Sequence, residues 1–247
     1  MMTVTETIVD TLKSMRCLLK LGDDITCDLI SPAGSIVRNS PAADYLSEAG
    51  LVPRQFHSYG ARRGNSEVMA RGTFSHAKLK NMIKGHTKAG PYTTHQPSGV
   101  VTTIFDASSK YKEDHVPLVV IAGKHFGRGA ARDWATKGPY LLGVRVILAI
   151  SFHPVYRNNM IKTGLLPIQI DESTYEALGG QELFEIQIDL NDDVRTNEVQ
   201  IVLDKGQRVL KAAHLLNNAY EIEVFKSGGI IRQSLNEYVN NDDSPSS

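Results

Sequence analysis

The sequence predicts an α/β fold in which a mostly parallel central sheet is flanked by helices, with antiparallel strands in the C-terminal part. Two continuous apolar runs, LVVIA at 118–122 and VRVILAI at 144–150, support the parallel sheet. Runs of this kind are typical of parallel strands that are covered on both faces. Beyond residue 171, polar and apolar residues alternate at 185–190 and 199–203. This alternation predicts antiparallel strands with one solvated face.

A glycine-rich turn follows the first apolar run and leads into a helix predicted over residues 130–140. Gly123, Gly127 and Gly129 permit a positive φ or the close approach of another backbone or a ligand. The turn would bring backbone N–H groups and Arg132 to the positive end of this helix, where an anion is stabilised. A tight strand-to-helix connection without a ligand explains the glycines equally well, and both interpretations stay open.

Weaker patterns define the two ends of the chain. Residues 1–21 are predicted to be an N-terminal lead-in, either a docking helix or a loosely ordered segment, and residues 22–239 the main domain. The polar tail at 240–247, NNDDSPSS, is predicted to be disordered. The helical reading of the lead-in rests on four apolar residues that share one helix face: Ile8, Leu12, Met15 and Leu19.

Cap and turn signals divide the main domain into short elements. Ser40 followed by Pro41 predicts a helix start, and this helix ends at Gly50. Residues 85–116 form a variable linker that contains an edge strand or hairpin arm at 100–105.

Two elements complete the domain. Pro154 suits the first turn of a helix, and a turn at 164–168 leads into another buried strand. A last helix is predicted to extend to about Val239.

Composition limits the classes of partner and cofactor. The 247 residues include 27 basic and 27 acidic side chains, so no overall field favours nucleic acid, a membrane surface or an acidic substrate. Cys17 and Cys27 are too few for an iron–sulfur cluster and lack zinc-site spacing. Two free thiols indicate a reducing compartment. Because no apolar run reaches the ~20 residues of a membrane helix and no signal peptide is recognisable, we expect a cytoplasmic protein.

Three long motifs carry a family resemblance. Residues 22–46 read GDDITCDLISPAGSIVRNSPAADYL, residues 56–84 read FHSYGARRGNSEVMARGTFSHAKLKNMIK, and residues 127–152 read GRGAARDWATKGPYLLGVRVILAISF. These motifs resemble the C-terminal swivel domain of the aconitase superfamily, most closely the branch of cytosolic aconitase and the iron regulatory proteins. The resemblance spans about residues 22–238 and implies the swivel-domain fold.

The same resemblance implies a degenerate site. In the family the glycine-rich turn reads G-x-G-S-S-R; its first serine is the catalytic base, and the second serine and the arginine bind a substrate carboxylate. Those positions are Ala130, Ala131 and Arg132 here, so no catalytic residue is intact and the arginine alone is retained. The candidate substrate-binding or anion-binding residues are Arg132, Gly127, Gly129 and Asp28, the last matching a family aspartate that faces the active site.

A local basic run suggests a different site. In the iron regulatory proteins this region contributes arginines to RNA-hairpin binding, and two of those positions are Lys78 and Met82 here. Lysine keeps the charge without the bidentate fork, and methionine keeps neither. A solvated basic helix face is the simpler interpretation. The candidate RNA-binding residues are Arg62, Arg63, Arg71 and Lys78.

Three functions follow from these observations. We favour a stand-alone, catalytically degenerate swivel domain that acts as a non-catalytic binding or structural protein. The second is a small subunit that completes the active site of a cluster-containing hydro-lyase, because isopropylmalate isomerase carries its swivel domain on a separate polypeptide. The third is RNA binding of the iron regulatory type. No cofactor is expected in this chain, and an iron–sulfur cluster would come only from a partner. The expected partner is a protein, including a cluster-bearing aconitase-type chain, rather than nucleic acid or a membrane.

Overall fold

The computed structural model describes residues 12–130, 132–190 and 197–242. Ala131, residues 1–11 of the predicted lead-in and residues 243–247 of the predicted tail lie outside the described residues, whereas residues 240–242 of that tail belong to the last helix, contrary to the prediction of disorder. Within the described residues, seven strands close into a barrel and two others form a hairpin. The strands are β1 (Met15–Lys20), β2 (Tyr92–His95), β3 (Val100–Thr103), β4 (Leu118–Ala122), β5 (Val144–Ala149), β6 (Leu166–Gln169), β7 (Leu183–Ile188), β8 (Glu198–Leu203) and β9 (Arg208–His214).

Helices cover the barrel and extend from it. In the described part of the chain, none of them is long and apolar enough to cross a membrane. They are α1 (Cys27–Ile30), α2 (Pro41–Glu48), α3 (Ser66–Gly72), α4 (Ile104–Glu113), α5 (Trp134–Leu141), α6 (Pro154–Thr163), α7 (Glu172–Ala177), α8 (Ala219–Lys226) and α9 (Ile230–Asp242).

The sheet combines a parallel half with an antiparallel half. Its strands follow the order β1-β4-β5-β6-β9-β8-β7, and β7 pairs back to β1. β1, β4, β5 and β6 are parallel, whereas the C-terminal strands pair antiparallel. The predicted α/β class is confirmed. Closure of the sheet was not predicted, because it depends on the pairing of Met15 with Phe184, which lie far apart in the sequence.

The helical reading of the N-terminal lead-in was wrong for its second half. Met15–Lys20 is strand β1, which lies between β4 and β7. An apolar run this short does not distinguish a strand from a helix by periodicity, so pairing with β4 decides its conformation. The barrel therefore begins before residue 22.

Turn chemistry predicted one helix start correctly and another incorrectly. The Ser40 hydroxyl accepts a backbone hydrogen bond and Pro41 begins α2, as predicted. In contrast, α5 begins at Trp134 rather than near residue 130. The positive φ of 97° at Gly129 keeps the backbone non-helical immediately before the predicted start. Arg132 lies ahead of the helix, outside regular secondary structure.

Two apolar cores use opposite faces of the same strands. Val119 and Ile121 of β4 pack into one core with residues of α8, and Val120 and Ala122 pack into the other with residues of α4, α5 and α6. Every residue of β4 is buried as a result. This arrangement explains why the strand reads as a continuous apolar run.

A largely buried ion pair connects two helices on the barrel surface. The guanidinium of Arg157 on α6 donates to the carboxylate of Glu221 on α8 and to the carbonyl of Leu215. Burial alone would raise the pKa of Glu221, but hydrogen bonds from Arg157 and from the N–H of Asn217 lower it overall. The pair fixes α8 against α6.

Candidate functional site

The carboxyl ends of two parallel strands bring two of the sequence motifs together. β1 and β4 are neighbours, so the loops that follow them run side by side. The N–H of Asp24 donates to the carbonyl of Lys124, and the N–H of Gly127 donates to the carbonyl of Ile25, each at 2.8 Å. Carboxyl ends of parallel strands are where α/β sheets commonly bind ligands.

Two of the predicted site residues form an ion pair on this edge. Nε of Arg132 lies 2.7 Å from Oδ1 of Asp28, and the two side chains remain 47% and 58% exposed. Asp28 is held in place because the N–H of the preceding Cys27 donates to the carbonyl of Arg128 at 2.8 Å. An anion that approaches Arg132 therefore meets a guanidinium whose charge is already partly neutralised.

The two predicted turn glycines have different physical roles. Both have a positive φ, 82° at Gly127 and 97° at Gly129. A Cβ atom on Gly127 would lie 2.1 Å from Cγ of Tyr156, so core packing requires a glycine there. A Cβ atom on Gly129 would have Cβ of Thr26 as its nearest neighbour at 4.0 Å, so the surface at this position is open. Gly129 alone leaves space for a bound group.

The position that the resemblance assigns to a catalytic base carries no proton acceptor. Ala130 is exposed on the turn and presents only a methyl group. Ala131, at the second serine position, lies outside the described residues. The charged residues in the turn belong instead to surface ion pairs.

Other cations beside the turn are also paired with acidic side chains. Lys124 Nζ lies 2.9 Å from Oε1 of Glu172, and Nη1 of Arg128 lies 3.0 Å from Oδ1 of Asp24. The hydrogen bond from Arg128 lowers the pKa of Asp24, with a smaller contribution from His125. This edge therefore presents charges of both signs rather than a positive pocket.

Sequence reasoning missed the acidic residues that follow β1. Oδ1 of Asp23 accepts a hydrogen bond from the N–H of Lys124 at 2.7 Å. A Cβ atom on Gly123 would lie 2.0 Å from the same oxygen, so this glycine permits the contact. The adjacent pair Asp23 and Asp24 directly follows an apolar run, which was a usable signal. The prediction of a helix in the lead-in concealed this signal. Asp23 and Asp24 reach this edge only because the residues before them form a parallel strand.

The cysteines do not fit an iron–sulfur cluster. The thiol of Cys17 donates to the carbonyl of Leu19 and the thiol of Cys27 to the carbonyl of Gly127, each at 3.2 Å. Burial raises the pKa of both thiols, whereas cluster ligands are thiolates. The two side chains also lie in different apolar cores. Among the residues that the structure describes, no group of three or more His, Cys, Asp or Glu side chains could hold a metal ion.

The candidate RNA-binding residues fall into two kinds. Arg62 donates to two backbone carbonyls, and Arg71 pairs with Glu67 at 2.6 Å, so both contribute to local structure. Arg63 and Lys78 are exposed. Two of the four predicted residues, Arg62 and Arg71, are thus already engaged in intrachain hydrogen bonds or ion pairs.

The fold defines the class of domain. The chain resembles the solved structure of 3-isopropylmalate dehydratase (LeuD) from Methanocaldococcus jannaschii with a TM-score of 0.51, over 94% of this chain and 97% of that one. The sequence identity is 18%, so this likeness shows the fold alone. The sequence then gives the family: residues 42–173 match the Aconitase C-terminal domain, and the chain belongs to this family.

Curated relatives place the chain within longer proteins. It is 43% identical to aconitate hydratase A of Bacillus subtilis over 236 residues, covering 93% of this chain and 26% of the relative. It is also 43% identical to iron-responsive element-binding protein 2 of Xenopus laevis over 225 residues, covering 90% and 23%. The chain thus spans about a quarter of the length of these relatives. The resemblance to the aconitase and iron regulatory branch is confirmed.

Proposed function

We propose that this chain is a catalytically degenerate swivel domain that acts by binding a protein partner. The observation that carries the proposal is the Asp28–Arg132 pair beside Ala130: the pair keeps a charged surface, while the position that the resemblance assigns to the base carries only a methyl group. Removing an essential acid or base typically costs about 10²–10⁴ in rate. Two buried, protonated thiols add no ligand for a cluster. These features favour binding over chemistry.

The charged edge of the barrel suits a protein partner. Asp24, His125 and Arg128 are more than half exposed and carry both signs of charge beside the Asp28–Arg132 pair. Mixed charges of this kind are typical of the polar rim of an interface, where they select partners and orient them. The curated relatives carry this region as about a quarter of a longer chain. We therefore propose a cluster-bearing aconitase-type chain in the cytoplasm as the partner.

A mixing experiment with a relative tests both parts of the proposal. Aconitate hydratase A of Bacillus subtilis is truncated to remove the quarter that matches this chain, and its iron content is verified. The truncated protein is then mixed with the wild-type chain or with an Ala130→Ser, Ala131→Ser double variant. Complex formation is measured by analytical ultracentrifugation, and aconitate hydration by absorbance.

The expected result is a complex with both chains, with hydratase activity only for the double variant. Activity with the wild-type chain would overturn the non-catalytic role and support the alternative, a small subunit of a hydro-lyase. Absence of a complex with either chain would overturn the proposed partner. The intact hydratase serves as the activity control.

The natural partner can be sought in parallel. The tagged chain is purified from its own cells, and co-purifying proteins are identified by mass spectrometry with iron analysis. We expect a cluster-bearing chain in near-stoichiometric amount. Recovery of iron-free proteins alone would keep the binding role and reject an aconitase-type partner.

A further inference from the structure

A cavity of about 360 Å³ lies outside the site described above. None of the residues that form the Asp28–Arg132 edge lines it. Its walls come from the segment between α1 and α2, the end of α3, the β2–β3 hairpin and the start of α4. Its volume is at the lower end of the roughly 300–1,000 Å³ that small-molecule sites occupy.

The walls combine apolar surfaces with hydrogen-bond donors. Among the described residues, the lining includes an arginine and a histidine but no carboxylate. The apolar part is formed by Val37, Pro41, Tyr59, Pro91, Tyr92, Ile104 and Phe105. Among the lining hydroxyls, those of Ser40, Thr73 and Thr103 already donate within the fold, so hydroxyl donors to a ligand come from Ser31, Ser35 and Tyr92. This composition favours an anion that has an apolar body.

Arg71 is the fixed cation of the cavity. Its side chain is 18% exposed, and its guanidinium lies 4.5 Å from the ring centroid of Tyr45 and 4.4 Å from that of Phe105. In the described part of the chain, its hydrogen bonds to the carbonyl and carboxylate of Glu67 use Nη1. The aromatic rings and Glu67 thus orient the guanidinium, and its Nε and Nη2 donors can bind a carboxylate in a bidentate fork.

His76 adds a second donor to the lining. Its Nδ1 accepts a hydrogen bond from the N–H of Lys78 at 3.1 Å. An accepting Nδ1 carries no proton, so the ring proton lies on Nε2, which can donate. The Tyr59 hydroxyl is hydrogen-bonded with Ser75 and Ser40, and burial raises the pKa of this phenol. The lining therefore offers donors without requiring a second fixed charge.

We propose that this cavity binds a small monocarboxylate with a planar or branched apolar body. Arg71 is already paired with Glu67 through Nη1, so its Nε and Nη2 supply the two further donors that match one carboxylate, and the aromatic and proline surfaces match the apolar body. Inorganic phosphate has no apolar surface to bury, and a neutral amide forfeits the charge-assisted bonds. The cavity volume limits the ligand to a small acid.

Calorimetry on the full chain tests this proposal with two matched pairs of probes. Benzoate is compared with benzamide, and isovalerate with isovaleramide, because each pair keeps the shape and removes the charge. We expect saturable one-to-one binding of at least one acid, and at least about tenfold weaker binding of its amide, as the loss of a charge-assisted hydrogen bond predicts. Neither comparison requires a variant to fold.

Variants then locate the site. Arg71→Gln is expected to weaken binding of the acid by at least about tenfold. Ala33→Trp, at an exposed residue of the lining, is expected to block entry without disturbing the core. Arg54→Gln removes an exposed arginine outside the cavity and should leave binding unchanged, whereas Arg132→Gln tests whether the acid binds at the barrel edge instead.

Two results would overturn the proposal. One is no saturable binding of either acid, or equal binding of an acid and its amide. The other is loss of binding in Arg132→Gln while Ala33→Trp binds normally, because the acid would then occupy the barrel edge.

Discussion

Nε of Arg132 lies 2.7 Å from Oδ1 of Asp28, although the two residues belong to motifs far apart in the sequence. The pair lies where the loops after β1 and β4 run side by side. Asp28 therefore competes with any anion for the guanidinium. The pair keeps the local charge balanced on this turn.

Removing the charge of Asp28 should make Arg132 available to anions. Asp28→Asn is expected to raise the affinity for sulfate by about 1.4- to fivefold, because exposed ion pairs are worth roughly 0.2–1 kcal/mol. Calorimetric titration measures the change. The gain should disappear in the Asp28→Asn, Arg132→Gln double variant, and its persistence there would show that sulfate binds elsewhere.

The two glycines of the turn should differ in their effect on stability. Gly127→Ala is expected to lower the free energy of unfolding by more than roughly 3 kcal/mol, because the added Cβ combines backbone strain with a clash against Tyr156. Gly129→Ala is its control, since it has a similar φ with open space around it, and should cost about 1–2 kcal/mol. Urea unfolding measures both. Equal losses would mean that the Tyr156 contact is not decisive.

The Arg157–Glu221 pair should stabilise the fold in a pH-dependent manner. A carboxyl group whose pKa is lower in the folded state stabilises above its unfolded pKa, and this contribution is lost as the pH falls through the folded pKa. Glu221→Gln is therefore expected to lower the free energy of unfolding by about 1–3 kcal/mol near pH 7. The difference should narrow as the pH falls below about 4.5.

Denaturant titrations between pH 7 and pH 3.5 measure this difference. Glu223→Gln on the exposed side of α8 is the matched control and should have little effect. A difference for Glu221→Gln that stays constant over the whole range would assign the loss to packing rather than to charge.

An RNA hairpin should not bind saturably at physiological salt. Arg62 and Arg71 are used in local structure, and the chain has equal numbers of basic and acidic residues. Phosphate contacts give a steep dependence of affinity on salt concentration. Filter binding of an iron-responsive element at several salt concentrations is the measurement. Saturable binding with a steep salt slope that an Arg63→Gln, Lys78→Gln variant abolishes would restore the RNA-binding function.

Local sequence determined much of the fold and the candidate site residues. The LVVIA run predicted a strand buried on both faces, because burial on two sides leaves no polar position. The side chain of Ser40 and the ring of Pro41 predicted the start of α2, because both act within one turn. The family resemblance selected Asp28 and Arg132. Each of these predictions depends on neighbours in the sequence or on a family pattern.

Tertiary structure alone decided how these pieces meet. Met15–Lys20 is a strand because β4 and β7 pair with it, and the sheet closes because Met15 meets Phe184. Likewise, the Asp28–Arg132 contact and the cavity beside Arg71 bring together segments that the chain separates. Periodicity and capping report short-range energetics, whereas strand partners and side-chain contacts are set by packing between distant residues, and no local pattern encodes those distances.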